Sequence, residues 1–345
     1  MADLPFDTNL PVCVPIDETL EECGGTITIQ GREHHFLIKE LKKKMTRINE
    51  KGSFGDMYKL DFQGTMVAVK AVQIENDERR KFNSKPRVDK EIDVSQKSAS
   101  NCKYVVQFFG CALENCKSYM FLEFVECTLK ECILACNDIS TEQKKIYKFD
   151  ENIVGNIVIA TVSGLSYLKE CNLVHRDVKP SNILISKEGC VKLCDFGMVG
   201  ELVHSHAYTS QTGTKSYLSP EKLIPSADSN RIVYDVRADI WSLGVSLVYA
   251  CTGVHPYEAK GDFELFEKIV KGDPPMLTSK NYKLNNFVNF CLVKDVQRRP
   301  KLAELKEKNF FKEHSTRTEL DERITADLVV KEVLKRKERG DFANR

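Results

Sequence analysis

Hydrophobic and polar residues are arranged differently in the two halves of this chain. Up to residue 125, short apolar runs have the length of buried strands, as at Val67–Val69, Val105–Phe108 and Tyr119–Val125. From residue 126 onward, apolar residues recur at helical spacing. The clearest such set, which predicts one long core helix, is Ile153, Val154, Ile157, Ala160, Thr161, Leu165 and Leu168. The pattern therefore predicts strands first and helices after them.

Length and charge restrict the class of protein. The chain has 345 residues, of which 42% are hydrophobic, and this is enough for a large core arranged as two lobes. Lys plus Arg (51) and Asp plus Glu (50) nearly cancel, giving a net charge of +1, so we expect neither nucleic acid nor membrane as a partner. The longest apolar stretch, Trp241 to Val254, is interrupted by serines and glycines and predicts a buried helix.

The cysteines and the N-terminal residues indicate a cellular compartment. There are 13 cysteines, an odd number, and no C-x-x-C pair, so we predict reduced thiols without disulfides or zinc. The first residues show no signal-peptide pattern, and Ala2 excludes a myristoylation signal. We therefore expect a cytoplasmic protein, and a nuclear location agrees with the same observations.

The stretch from Leu173 to Gly197 carries the residues for chemistry. It contains H-R-D-x-x-x-x-N at His175–Asn182, followed by D-F-G at Asp195–Gly197. Two aspartates with a lysine and an asparagine between them can hold magnesium on a triphosphate while a hydroxyl attacks the terminal phosphorus. These two spaced motifs resemble those of the protein kinase family.

The resemblance implies a fold class and domain boundaries. Kinases have an α+β, bilobal fold with a small, mainly β N-lobe and a larger, mainly α C-lobe. Here the kinase domain is expected at 45–312, with the N-lobe at about 45–125 and the C-lobe at about 126–312. Residues 1–44 are expected to form a flexible extension and 313–345 a C-terminal tail.

The phosphate-binding part of the pocket is only partly like that of the family. Glu50–Tyr58 resembles the glycine-rich loop, in which glycines let backbone amides approach phosphate oxygens. Glu50 stands where the first glycine is usual, so we expect weaker ATP binding with turnover retained. Lys70 is implied to hold the α- and β-phosphates and to pair with Glu91, with Asp93 as the alternative.

The adenine-binding part is assigned by position. By resemblance, Tyr119–Val125 ends in the hinge, where the backbones of Glu123 and Val125 bind adenine and Leu122 sets the depth of the pocket. Core packing alone is the alternative explanation of these apolar side chains. The residues that the resemblance assigns to nucleotide binding are Gly52, Ser53, Gly55, Met57, Ala68, Lys70, Leu122, Glu123, Val125, Asn182, Leu184 and Asp195.

The resemblance also assigns the catalytic roles. Asp177 orients the substrate hydroxyl and takes its proton, and Lys179 reaches the transferred γ-phosphoryl group. Asn182 and Asp195 bind the magnesium ions, so the implied cofactors are ATP and Mg²⁺.

Other motif residues are implied to be structural. Asp239, at the start of the Trp241 helix, is expected to brace the backbone of the His-Arg-Asp turn, since a buried carboxylate needs such partners. Glu221 and Arg299 resemble the buried ion pair of the family.

The segment after Gly197 narrows the family. Ser205-x-Ala207-x-Thr209 resembles the activation loop of mitogen-activated protein (MAP) kinase kinases, in which an upstream kinase phosphorylates both hydroxyls. Arg176 is the first candidate to pair with such a phosphate. A serine-rich loop without a regulatory role is the alternative. Further similarities to the same family lie at Cys194, Lys271–Pro275 and Phe287–Asp295, and the resemblance leans toward the stress-responsive branch.

The tail resembles a docking element of the same family. Leu328, Val329, Glu332 and Val333 have helical spacing, followed by the cations Lys335, Arg336 and Lys337, which suit the C-terminal end of a helix dipole. This helix is interpreted either as a docking site for the activator or as a helix packed on the C-lobe. The basic docking peptide that recruits a substrate is not evident in residues 1–30.

The combined interpretation is a dual-specificity kinase of the MAP kinase kinase type. Its expected partners are a downstream MAP kinase, phosphorylated on threonine and tyrosine, and an upstream MAP kinase kinase kinase. The alternatives are a general serine/threonine kinase and a catalytically silent scaffold with the kinase fold.

Overall fold

The computed structural model describes residues 24–48, 55–73, 102–142, 149–195, 200–201, 215–224, 235–317 and 319–339. The chain divides into two compact units. The first contains the described residues up to 73 together with Val106–Phe124, and the second contains Cys102–Val105 and the chain from Val125 onward.

An antiparallel sheet forms most of the first unit. Its strands lie in the order β2-β1-β6-β7-β5-β4-β3. Their bounds are β1 (Gly24–Ile29), β2 (Arg32–Leu37), β3 (Thr46–Arg47), β4 (Asp56–Phe62), β5 (Thr65–Gln73), β6 (Phe108–Glu114) and β7 (Lys117–Glu123). A short helix, α1 (Ile38–Lys42), follows β2.

The two faces of β5 have different surroundings because successive side chains of a strand point to opposite faces. Val67 and Val69 are fully buried in a core cluster that includes Phe121 of the neighbouring strand β7. Ala68 and Lys70 alternate with them and therefore belong to the other face. One face of the sheet thus builds the core and the other presents the lysine.

The prediction of a flexible extension over residues 1–44 is wrong for residues 24–42. Strand β1 pairs with both β2 and β6, and Ile27 is fully buried in the core of the sheet. Ile38 and Leu41 of α1 belong to the same core cluster. The strand that β1 pairs with lies far along the chain, so local periodicity could not show that this segment is buried.

The prediction that every cysteine is reduced is also wrong. Cys111 of β6 is disulfide-bonded. The ten other cysteines within the described ranges are free thiols. Cysteine counting failed because an odd total and the lack of a C-x-x-C pair do not exclude a bond between cysteines that the fold brings together.

The second unit is mainly helical. Its helices are α2 (Leu129–Glu142), α3 (Glu151–Glu170), α4 (Pro220–Leu223), α5 (Arg237–Thr252), α6 (Asp262–Phe266), α7 (Tyr282–Cys291), α8 (Leu302–Lys306), α9 (Asn309–Ser315) and α10 (Glu319–Arg339). Its short strands are β8 (Cys127–Thr128), β9 (Leu173–Val174), β10 (Ile183–Ile185), β11 (Val191–Leu193) and β12 (Gly200–Glu201). None of the described helices is both long enough and apolar enough to cross a membrane.

Helix α3 is the long core helix that the spacing predicts. Its N-cap is Asp150, whose side chain accepts a hydrogen bond from the backbone N–H of Asn152 at 2.8 Å. Helix α9 packs against α3 at Gly155, where a Cβ atom would lie only 2.2 Å from Nδ1 of the His314 ring. A glycine is required at this position because the ring occupies the space of a side chain.

Helix α10 packs on its own unit, against α2, α3 and β8. Val329, Val330 and Val333 are buried there. The interpretation as a packed helix agrees with these contacts. Docking of an activator through this helix stays a prediction.

Candidate active site

The candidate catalytic residues lie in the loop between β9 and β10. This loop is anchored at both ends, since β9 pairs with β12 and β10 forms a hairpin with β11. Leu173, Val174 and Ile183 are buried and fix the ends of the loop in the core. The polar side chains between them are therefore held on a rigid base.

Asp177 has one carboxylate oxygen that is bonded and one that is not. Its Oδ2 lies 2.8 Å from Nζ of Lys179 and accepts a hydrogen bond from Nδ2 of Asn182 at 2.9 Å. Its Oδ1 is buried and has no hydrogen-bond partner among the described residues. A buried carboxylate oxygen without a partner is costly to the fold, so it marks a place where a donor from another molecule can bind.

Asn182 connects Asp177 to Cys194, the residue directly before Asp195. Its Nδ2 also donates to the backbone oxygen of Asp177 at 2.8 Å, and its backbone oxygen accepts from the N–H of Cys194 at 3.0 Å. Both amide hydrogens thus point to Asp177, and Oδ1 has no partner within the described residues. Asp195 follows Cys194 in the left-handed region, with φ of 65°. This φ is unusual for a residue other than glycine.

The oxygen atoms of Asn182 and Asp195 are suitable ligands for magnesium. Mg²⁺ prefers oxygen donors and is commonly held by one or two protein carboxylates together with substrate phosphates. No group of three or more His, Cys, Asp or Glu side chains in the described ranges could hold a metal ion by itself. The two predicted ligands therefore fit a metal whose remaining ligands come from a nucleotide.

Asp239 braces the catalytic loop, as predicted. Its Oδ2 accepts the backbone N–H of His175 at 3.1 Å, and its Oδ1 accepts that of Arg176 at 2.8 Å. Arg176 has φ of 68°, and these two bonds help to hold that strained backbone. Burial raises the pKa of Asp239 to about 6, and the two N–H donors with the nearby His175 and Arg176 side chains limit the rise.

His175 has a role that sequence reasoning did not assign. Its Nδ1 accepts from the backbone N–H of Asp177 at 3.3 Å, so Nε2 carries the proton and donates to the backbone oxygen of Cys194 at 3.1 Å. The imidazole thus joins the two motifs. Its place at the start of H-R-D was the only available signal.

The predicted ion pair between Glu221 and Arg299 is confirmed. Two parallel bonds, of 2.8 and 3.0 Å, join the guanidinium to the carboxylate. The other hydrogens of Arg299 are donated to the backbone oxygens of Val293, Arg237 and Lys294. Burial would raise the pKa of Glu221, but the Arg299 guanidinium outweighs this and holds the pKa below its usual value.

In the first unit, several predicted nucleotide-binding residues share one face of the sheet. Lys70 is paired with Met57 on one side and with Met120 on the other, and Ala68 is paired with Leu122. Cross-strand partners point to the same face, so these side chains lie together on the face opposite the main core. Lys70 is only 5% exposed.

The hinge residues differ in whether their backbone groups are hydrogen-bonded within the protein. The N–H of Glu123 donates to the oxygen of Gln107 at 2.8 Å, and the Glu123 carboxylate accepts the N–H of Gln107 at 3.1 Å. The backbone of Val125 has no hydrogen-bond partner among the described residues. The backbone groups of Val125 are thus open to a ligand, whereas the N–H of Glu123 is already bonded.

Comparison with known proteins supplies the family. A family model described as "Protein kinase domain" matches residues 48–311. The human protein "Dual specificity mitogen-activated protein kinase kinase 7" is 35% identical over 88% of this chain and 71% of its own length. The Caenorhabditis elegans protein "MAP kinase kinase mkk-4" is 35% identical over 84% of this chain and 78% of its own. The chain belongs to the MAP kinase kinase family of protein kinases.

This membership confirms the predicted α+β kinase fold and the prediction of a protein kinase enzyme. A further relative, "Dual specificity mitogen-activated protein kinase kinase sek-1" of Caenorhabditis elegans, is 34% identical over 74% of each chain. The individual site residues of this kinase stay predictions.

Several predicted residues lie outside the described ranges. These are Gly52, Ser53, Glu91, Ser205 and Thr209. Gly55, which is described, begins the chain's path into β4 with φ of 111°, and a Cβ there would lie 2.5 Å from the backbone oxygen of Ala71. Glycine at this position is thus required by the sheet itself.

Proposed function

We propose that this kinase transfers the γ-phosphoryl group of ATP to the threonine and the tyrosine of a Thr-x-Tyr loop in a downstream MAP kinase. The observation that carries the proposal is the divided environment of Asp177, with one oxygen bonded and the other without a partner among the described residues. The relatives are named as MAP kinase kinases, and the human one as a dual-specificity kinase. These names support the choice of substrate.

The transfer step follows from the position of Asp177. The substrate hydroxyl donates its hydrogen to Oδ1, and its oxygen forms a bond to the γ-phosphorus. The bond between that phosphorus and the bridging oxygen to the β-phosphate breaks, so ADP leaves and the proton passes to Asp177. Lys179, 2.8 Å from the other oxygen, supplies a positive charge close to the transferred group.

The residues of the nucleotide site have separate duties. Asn182 and Asp195 would hold magnesium, which neutralises the charge of the phosphates when it is bound. Lys70, paired with Glu91, would fix the α- and β-phosphates, and Val125 the adenine.

Regulation is proposed to occur through Ser205 and Thr209. An upstream MAP kinase kinase kinase would phosphorylate both residues, and each phosphate adds roughly −1.5 to −2 charge that Arg176 can neutralise. A role in the stress-responsive branch and a cytoplasmic or nuclear location stay predictions.

The decisive experiment uses a Ser205→Asp/Thr209→Asp variant as the active form. It is incubated with ATP, magnesium and a panel of MAP kinases whose own catalytic lysines have been replaced, and modified residues are identified by mass spectrometry. We expect both threonine and tyrosine of one Thr-x-Tyr loop to be phosphorylated. Modification of threonine alone would favour the general serine/threonine kinase.

A second experiment addresses the silent scaffold. Lys70→Met, introduced into the activated variant, should abolish transfer and signalling through the downstream MAP kinase. If the pathway output were the same with and without Lys70, the chain would act as a scaffold and the proposed function would be wrong.

A further inference from the structure

The C-terminal end of α10 contacts the segment that directly follows the hinge. Nζ of Lys337 donates to the backbone oxygen of Glu126 at 2.7 Å and lies 2.8 Å from Oε1 of Glu131. Glu126 is the residue after Val125, whose backbone is the candidate adenine contact. A lysine near the C-terminal end of α10 is thus bonded next to the candidate adenine contact.

Glu131, the second partner of Lys337, lies in the first turn of helix α2. Oε2 of Glu131 accepts from the backbone N–H and the hydroxyl of Thr128, at 2.7 and 3.1 Å, and Thr128 Oγ1 accepts the N–H of Glu131 at 3.1 Å. This is a capping box. Lys337 therefore joins α10 to both the Glu126 carbonyl and the first turn of α2.

The same segment also contacts the hairpin formed by β10 and β11. Thr128 of β8 is paired with Leu184 of β10, and the Glu126 carboxylate accepts the N–H of Lys187 at 3.2 Å. Leu184 is a predicted nucleotide-binding residue. Residues 126–128 are therefore bonded both to α10, through Lys337, and to the hairpin of β10 and β11.

The end of α10 is a firm support for this contact. The neighbouring residue Arg336 is 5% exposed and forms ion pairs of 2.9 Å with Asp138 of α2 and with Glu332. Val333, one turn earlier, is fully buried. The backbone that carries Lys337 is thus fixed independently of Lys337 itself.

We propose that Lys337 is a positioning residue for the nucleotide, which holds residues 126–128 and, through them, the backbone of Val125. The inference rests on the proposed function, since it concerns the same nucleotide site. Without Lys337, residues 126–128 are less ordered in the ligand-free protein. Part of the free energy of ligand binding is then used to order them, so the ligand binds more weakly. The effect acts on adenine, so ATP and adenosine should both bind more weakly, by about three- to tenfold.

The test compares two lysines of α10. Lys337→Met removes the charge and keeps the aliphatic stem. Lys335→Met makes the same change at an exposed lysine that has no bonded partner among the described residues. Dissociation constants are measured for ATP with magnesium and for adenosine, together with amide hydrogen exchange over residues 125–128 in the ligand-free protein.

We expect Lys337→Met to weaken both ligands by the same factor and to speed exchange over 125–128. Lys335→Met should match wild type, and Lys337→Arg should restore binding. The inference is wrong if Lys337→Met matches Lys335→Met, if only ATP is weakened, or if exchange is unchanged. Wild-type protein that binds neither ligand would instead refute the proposed function, and this inference with it.

Discussion

Two buried polar networks of the second unit, around Asp177 and around Arg299, differ in how completely their hydrogen bonds are formed. Every N–H of the Arg299 guanidinium has an acceptor, in Glu221 or in a backbone carbonyl. At Asp177, Oδ2 has two partners, whereas Oδ1 has none among the described residues. Both side chains are at most 3% exposed, so burial does not account for the difference.

This difference separates a structural network from a catalytic one. A completed network stabilises a single arrangement, because removing any member leaves a buried group without a partner. An incomplete network costs stability in the free protein and gains a partner only when substrate binds. Three predictions test this distinction, beginning with the largest effect, and a fourth concerns the pH dependence of stability.

Replacing Asp177 should affect catalysis far more than stability. Asp177→Asn keeps the size of the side chain but removes the base, so we expect kcat to fall by about 10²- to 10⁴-fold. The melting temperature should stay close to that of the parent. Phosphate transfer by the Ser205→Asp/Thr209→Asp form provides the measurement, and retention of a tenth of the activity would contradict the assignment.

Replacing Arg299 should have the opposite profile. Arg299→Met leaves Glu221 without its partner, and breaking a buried ion pair costs about 3–5 kcal/mol. Glu221 is 25% exposed, so the lower end of that range is expected. Urea unfolding measures the loss, and Arg299→Met/Glu221→Leu should recover part of it. A stable Arg299→Met protein would remove the contrast between the networks.

Asp239 lies between the two cases because it supports the catalytic loop without contacting substrate. In Asp239→Asn an amide NH₂ replaces one oxygen that accepts a backbone N–H, which should cost about 1–3 kcal/mol of unfolding free energy. Activity should fall further than this loss explains, since the His175 and Arg176 backbone is then held less firmly. Comparing kcat with unfolding free energy distinguishes this from a uniform loss of folded protein.

The smallest effect concerns pH. Burial lowers the pKa of His255 to about 4, and its ring nitrogens lie near the Ser216 hydroxyl and the N–H of Tyr257. Stability from the neutral ring is thus present above its usual pKa of 6.5 and is lost as pH falls through about 4. His255→Gln should reduce the loss of stability between roughly pH 7 and 5.5 by about 1 kcal/mol.

Asp239 provides a control for the same pH titration, because its effect on stability has the opposite sign. Because burial raises the pKa of that carboxyl to about 6, its contribution has the opposite sign, and stability increases as pH falls from about 6 towards the usual value of 3.8. Asp239→Asn should remove that increase. If the unfolding free energy fell equally at acid pH in wild type and in His255→Gln, the His255 imidazole would not be held neutral by burial.

Sequence reasoning succeeded where a short motif determines local geometry. The bracing by Asp239 and the pair of Glu221 with Arg299 were both predicted, because fixed motifs identify both members. Which oxygen of Asp177 is bonded could not be predicted, since it depends on how Lys179 and Asn182 are oriented by the hairpin.

It failed where the partner is distant in sequence. The pairing of β1 with β6 is not visible in the local sequence, so a buried strand was assigned to a flexible extension. Lys337 was predicted only to suit a helix dipole. Its bond to the Glu126 carbonyl depends on where α10 packs, which no local pattern specifies.

The distance between helices α3 and α9 depends on the absence of a side chain at Gly155, which the His314 ring contacts. Glycine within a helix normally costs about 1 kcal/mol relative to alanine. Here it permits α9 to lie directly against α3, and α10 follows α9 along the chain. A change as small as Gly155→Ala would push the ring outward and shift the starting point of the terminal helix, far from any residue that touches phosphate.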